Sequence, residues 1–244
     1  MKVYYTLKEQ AYEAKDIELA MQCAETASIN NGWPVRALIE TLAQKDVFIG
    51  VSGFTFQCSN QFRYGSISGA VTTRIQFQTG AGEILVAVCP TIQLLHKIQS
   101  YSTCIEMLFV VPEIKSDTKI YTWLDLNSAK DLESGAVLSG IGLPVKGIKR
   151  AINYLQDYCK RNTVDLNHIT VQKGEMTDVV NAIKKQGLSV NDKEVVKYCL
   201  QKRLQYSEAV ILAKAFAQKT LLQTRGCPNY DIIWNTINDS RWDK

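Results

Sequence analysis

From Val47 to Gly82 the chain contains no aspartate or glutamate. Histidine occurs only twice, at His96 and His168, and no Cys-x-x-Cys pair is present. The seven cysteines (Cys23, Cys58, Cys89, Cys104, Cys159, Cys199 and Cys227) are odd in number and scattered. That distribution argues against a disulfide framework and against a Cys/His zinc site, and it fits reduced, buried thiols. The longest apolar runs, residues 84–89 and 107–111, fall far short of the roughly 20 residues that cross a bilayer. The opening MKVYYTLKEQ lacks the apolar core of a signal peptide. A soluble, cytoplasmic protein with no membrane association is therefore expected. Neither a GxSxG elbow nor a phosphate-binding glycine pattern occurs. No internal repeat or low-complexity tract is present, and no cofactor is implied.

What is present suffices for a buried core. The 244 residues are 46% hydrophobic and 21% charged, ordinary values for a globular protein of one large or two small domains. The net charge of +4 conceals an asymmetry. Residues 1–139 carry 11 Lys and Arg against 14 Asp and Glu, a net of −3, whereas residues 140–244 carry 17 against 10, a net of +7. A basic half beside an acidic one points to a polyanionic partner, although helical domains also carry lysine for solubility alone.

Hydrophobic periodicity divides the chain at the same place. Residues 6–27 repeat apolar side chains at helical spacing, stopped by Asn31-Gly32, and Pro34 suits the first turn of a second helix over residues 35–44. Short strands are expected over 47–51 and 54–58, then a loop or irregular hairpin tip over 59–69. Residues 71–78 alternate cleanly, and Thr79-Gly80-Ala81-Gly82 would turn them into an antiparallel hairpin with 83–89. A helix bearing Leu94, Leu95 and Ile98 leads to a parallel strand over 104–111, and a helix bearing Ile120, Trp123 and Leu124 follows. Beyond Gly140-Ile141-Gly142-Leu143-Pro144 every segment reads as helix: 147–161, about 176–186, 192–204, 207–222, and a last one after Cys227-Pro228-Asn229. The expected fold is a mixed central sheet flanked by helices (1–139), followed by a basic, all-helical domain (140–244).

The helix–strand–strand–strand–helix–strand order of residues 35–111 resembles the core of the restriction-endonuclease-like, PD-(D/E)xK superfamily. The resemblance implies a scaffold in which acids on the second and third strands hold a divalent metal and a lysine assists the attacking water. Here the triplet position is Ala87-Val88-Cys89 within VAVCP, and the preceding strand offers Thr73, Arg74, Ile75 and Gln76. None of these is a carboxylate. The resemblance therefore implies a degenerate member that binds or assembles without cutting. The segment 204–217, LQYSEAVILAKAFA, is also similar to the last helix of PIN-domain nucleases, but Glu208 is its only acid.

Several residues invite a chemical reading. Cys89 ends a strand before a helix N-terminus, where a dipole can lower a thiol pKa, yet no supporting base is near it in sequence. Phe54, Phe56, Phe62, Tyr64 and Arg63 could stack nucleic-acid bases or pin their own loop to the sheet. Residues 176–204 have the layout of a helix-turn-helix, with Lys193, Lys197, Lys202 and Arg203 expected on the outside of the second helix. Together with Lys184 and Lys185 these are the expected phosphate contacts, and the partner is expected to be DNA or RNA. The resulting expectation is a non-catalytic nucleic-acid-associated accessory or regulatory protein. The alternatives are a metal-dependent nuclease with displaced acids drawn from Glu40, Glu83, Glu106 or Glu113, and a protein-interaction module with a protein partner.

Overall fold

The computed structural model describes residues 1–6, 11–58, 60–73, 82–162, 173–224 and 226–243. The chain divides into two compact units, Met1–Ser139 and Gly140–Lys244.

The first unit is built on strands β1 (Lys2–Tyr5), β2 (Val35–Leu38), β3 (Phe54–Cys58), β4 (Gln61–Tyr64), β5 (Ile67–Thr72), β6 (Glu83–Val88), β7 (Ile105–Val111) and β8 (Lys130–Asp131). They form one sheet in the order β3-β4-β5-β2-β6-β7-β1-β8. The β3-β4-β5 meander is antiparallel, and every other neighbouring pair is parallel. Helices α1 (Ala14–Asn31), α2 (Ile92–Ser100) and α3 (Thr118–Leu126) cover it. Strand β6 shows why the layers hold. Its Ile84, Val86 and Val88 join Ile17, Met21 and Ala24 of α1, while Leu85 and Ala87 join Leu95 and Ile98 of α2 and Trp123 and Leu124 of α3. All six of its residues are buried, which explains a continuous apolar phrase where a one-sided strand would alternate. Burying each large aliphatic side chain of this kind contributes about 1.5–3 kcal/mol. The mixed sheet flanked by helices, with a helical unit after it, is the architecture expected from sequence.

Individual elements depart from expectation for identifiable reasons. Residues 35–38 are a strand, not the start of a helix. Its four residues are too few for periodicity to distinguish the two, and pairing with β5 and β6 on either side decides the matter. The carbonyl of Pro34 accepts from Ile84 N–H and opens that ladder. Residues 47–51 are not a strand. A 3-10 helix spans Leu42–Phe48, started by a reciprocal Thr41/Gln44 capping box and followed by Gly50 at φ 86°. The stretch read as a loop contains β4 and the start of β5, joined through Gly65 at φ 53°, with Phe62, Tyr64 and Ile67 buried. The expected hairpin between 71–78 and 83–89 does not form, because β2 lies between β5 and β6 and runs parallel to both; residues 74–81 lie outside the described ones. Gly69 lets β5 lie this close to β2, since an added Cβ would meet the carbonyl of Val35 and the ring of Phe62. The first helix begins at Ala14, after a strand that sequence reading missed, and closes at Gly32, φ 71°. The element order that carried the endonuclease resemblance is thus altered at β2 and at the hairpin.

The second unit holds α4 (Lys146–Asn162), α5 (Lys173–Lys185), α6 (Asp192–Gln201), α7 (Tyr206–Ala217), α8 (Tyr230–Ile237) and a 3-10 turn at Ser240–Trp242. Ile148, Ile152, Leu155 and Cys159 bury the expected stripe of α4, and Val180, Ile183, Val195, Cys199, Leu212 and Phe216 are buried on the following helices. Asn191 and Asn229 cap α6 and α8 through side-chain oxygens that accept backbone N–H groups. Two helices are shorter than expected. The α6 helix stops at Gln201, where Lys202 and a left-handed Arg203 (φ 62°) turn the chain so that Leu204 N–H returns to the carbonyl of Cys199. The α7 helix stops at Ala217 and is not enclosed on every side, for Ile211 is 46% exposed. No helix among the described residues is long and apolar enough to cross a membrane.

Candidate nucleic-acid interface

Helix α4 is amphipathic in two senses. Flanking its buried stripe run Lys146, Lys149, Asn153, Gln156 and Lys160, spaced three or four apart and therefore on one face. Those five side chains line a cleft of two lobes, about 690 and 350 Å3, whose other wall is Tyr198, Gln201, Lys202 and Arg203, with Trp242 and Asp243 at its side. The cleft's lining carries five cations (Lys146, Lys149, Lys160, Lys202, Arg203) against two acids (Asp157, Asp243).

The floor of the cleft is a closed polar network. Asn153 is buried; its amide donates to the carbonyl of Trp242 at 2.7 Å and its carbonyl accepts from the Tyr198 hydroxyl at 3.1 Å. Gln156 donates to the carbonyl of Lys202 at 2.9 Å, which fixes the turn leaving α6. The ammonium groups of Lys149 and Lys202 lie 5.9 and 5.4 Å from the centre of the Tyr198 ring, an arrangement that holds cations over an aromatic face. Burial pushes the Tyr198 hydroxyl pKa up. At one end, the Arg150 guanidinium grips Asp243 with both prongs, Nε to Oδ1 at 2.7 Å and Nη2 to Oδ2 at 2.8 Å, and Lys146 reaches Oδ2 at 3.0 Å. The Arg150 hydrogen bonds, with Lys146 behind them, hold the Asp243 carboxyl well below the usual carboxylate range.

The six basic residues singled out from sequence do not form one surface. Lys202 and Arg203 line the cleft. Lys193 is exposed in the first turn of α6. Lys197 corrects the expectation of an outward row: it is 4% exposed and its ammonium donates to the carbonyl of Ile141 at 2.7 Å, so it serves the fold. Lys184 donates to the carbonyl of Thr220 at 2.8 Å, and desolvation lowers its pKa. Lys185 lies 4.5 Å from the centre of the Tyr230 ring. Helices α5 and α6 follow one another as expected, but the second buries the middle lysine of the supposed reading face. Sequence reading missed Lys146, Lys149, Asn153, Tyr198 and Trp242. The signal for the first three was available as the period of the polar side of α4.

In parallel sheets ligands favour the carboxyl ends of strands where successive connections leave to opposite faces, which here is the β1/β7 border. Cys89, the residue after β6, is buried beside the end of β7, on the side away from β1, with φ 48°. Burial, with the charge of Glu113 adding, pushes its thiol up to about 12, the opposite of an activated nucleophile. Asp16 is buried and occupied, accepting from the Thr6 hydroxyl at 3.1 Å and from Glu13 N–H at 2.9 Å.

The four displaced-acid candidates do not converge. Glu83 and Glu106 stand at the amino-terminal ends of β6 and β7, while Glu40 and Glu113 lie just beyond the carboxyl-terminal ends of β2 and β7. A strand of six residues separates such ends by about 17–20 Å, against metal–oxygen distances of about 2.0–2.6 Å. Glu83 is moreover paired with Arg36 at 2.5 Å, and Glu40 accepts from the Thr91 hydroxyl at 3.1 Å. No group of three or more potential metal ligands occurs among the described residues. The aromatic segment is mostly internal: Phe54 stacks on Phe48 at 4.5 Å and on Phe62 at 4.8 Å, which leaves Phe56 partly outside at 42% exposure. No protein-family model matches the chain, and no curated protein or solved structure is significantly similar to it.

Proposed function

We propose that the chain is a non-catalytic nucleic-acid-associated protein whose helical unit holds a phosphate backbone in the α4/α6 cleft. The observation that carries this reading is the lining of that cleft, where five cations face two acids around a rigid amide and aromatic floor. Lysine and arginine groups brought to phosphates release counterions, so binding of this kind weakens steeply with salt. The contacts are Lys149, Lys160, Lys202 and Arg203, with Lys146 at the end of the cleft. The test is the affinity of the full chain for labelled single- and double-stranded DNA and RNA across a salt series. Affinity that ignores salt would refute the proposal. The same samples incubated with Mg2+ or Mn2+ report cleavage, which would favour the nuclease alternative. The proposal does not depend on an endonuclease-like origin of the sheet.

A second reading, a protein-interaction module, is favoured by the outer edge of the sheet. Strand β3 has no outer neighbour among the described residues, carries no charged side chain and leaves Phe56 partly exposed. Edges without charge or proline accept another strand. Co-purification with a protein partner that is lost in Phe56→Lys, together with no nucleic-acid binding, would support it.

A further inference from the structure

We propose that Arg150, Lys146 and Lys149 form a phosphate subsite at the Lys146 end of the cleft, occupied in the free chain by the carboxylate of Asp243, and that a backbone phosphate of the bound nucleic acid takes its place. The inference rests on the function proposed above and adds to it a particular phosphate position and a built-in competitor.

Three observations carry it. The Asp243 carboxylate meets Arg150 through two parallel hydrogen bonds of 2.7 and 2.8 Å, the fork geometry by which guanidinium groups recognise carboxylate and phosphate alike. Arg150 is itself pre-positioned, because its remaining nitrogen donates to the Asn238 side-chain carbonyl at 2.8 Å and to the Asn238 backbone carbonyl. Its side chain is 11% exposed, so the fork is held in place facing Asp243. Finally, Lys146 contacts the same carboxylate oxygen at 3.0 Å, and Lys149 lines the same lobe one turn along. Two cations thus grip one singly charged anion, with a third in the same lobe. A phosphodiester carries the same charge with two free oxygens to match the fork, and it arrives attached to neighbouring phosphates that engage Lys160, Lys202 and Arg203.

Asp243 follows the 3-10 turn that Trp242 anchors, with the Trp242 indole donating to the carbonyl of Thr236 at 2.9 Å and its backbone carbonyl held by Asn153. The carboxylate can swing out while that anchor stays. The free chain is therefore self-blocked at this position, and the strength of the block sets how strongly nucleic acid is held.

The test compares wild type with Asp243→Asn, using Asp231→Asn, an exposed acid on α8, as a control of equal charge change. Thermal unfolding confirms that each variant is folded. Freeing two cations should raise oligonucleotide affinity in Asp243→Asn by roughly one to two powers of ten at 0.1 M salt and steepen the salt dependence, with Asp231→Asn near wild type. If all chains bind and Asp243→Asn matches the control, the subsite is refuted and the cleft reading stands. If none binds, both fall. A readout independent of any variant is the Arg150 Nε–H resonance of the 15N-labelled wild-type chain. It should shift on adding oligonucleotide, and an unmoved resonance at saturation would overturn the proposal.

Discussion

Neutralising Lys149, Lys202 and Arg203 together, each to Gln, removes three of the five cleft cations while leaving the Asn153 and Gln156 hydrogen bonds and the Asp243 pairing in place. For single-stranded nucleic acid each engaged cation contributes about −0.7 to the slope of log K against log salt, and about −0.9 for duplex. The five lining cations alone predict slopes of about −3.5 and −4.5, and the two left in the variant about −1.4 and −1.8; Arg150, where a phosphate displaces Asp243, adds equally to both. Between 0.05 and 0.2 M salt the wild-type chain should therefore lose roughly 130-fold in affinity for a single strand and roughly 500-fold for a duplex, whereas the triple variant should lose only about 7- to 12-fold. Fluorescence anisotropy with a labelled oligonucleotide, repeated over four salt concentrations, reads both slopes. Lys184→Gln with Lys185→Gln, which removes two charges outside the cleft lining, is the control, because those ammonium groups meet Thr220 and Tyr230. Equal slopes for wild type and the cleft variant would refute the assignment, and a drop confined to the α5 pair would move the interface to α5.

Leu95→Ala should cost about 3–5 kcal/mol, because Leu95 is fully buried between α2 and the sheet; a lower urea midpoint at unchanged slope measures it. Thiol titration at pH 8 followed by mass spectrometry should label the exposed Cys58 and Cys227, while Cys89 and Cys199, whose thiols burial pushes up to about 12, react only in denaturant. The Asp243 carboxyl is held below its ordinary value in the folded chain, so its stabilising contribution is present above the unfolded carboxylate pKa of about 3.9 and disappears as pH falls through the folded value. The thermal midpoints of wild type and Asp243→Asn should accordingly differ at pH 5–7 and converge in stronger acid; a gap that is constant from pH 7 to 2 would contradict this.

The sheet class and the helical nature of the second half could be read from residues such as Ile84 to Val88 and the Ile148, Ile152, Leu155 stripe, whose periods are long or unambiguous. The strand at 35–38 could not. Its four residues satisfy helical and extended spacing equally, and only neighbours brought from about thirty to fifty positions away choose between them. The cleft was half legible. The polar stripe of α4 is a property of one helix, whereas the opposite wall of Tyr198, Lys202 and Arg203 depends on where α6 stops. That end is set by a left-handed residue that no glycine announces. Lys197 shows the reverse error, since charge alone suggested an outward lysine and a carbonyl partner at Ile141 drew it inward.

The position of β1 carries a consequence for how the chain is made. It occupies a slot between β7 and β8, strands that lie about a hundred residues or more downstream. A ribosome adding roughly 5–20 residues per second emits β1 some 5–20 s before either wall of that slot exists. Parallel pairings at such long range are also slow to close. In the interval Val3 and its neighbours remain an unclaimed extended segment. Completion of the first unit is thus tied to synthesis of its last strands, and truncation before Lys130 should leave the sheet with its penultimate strand unsecured on one side.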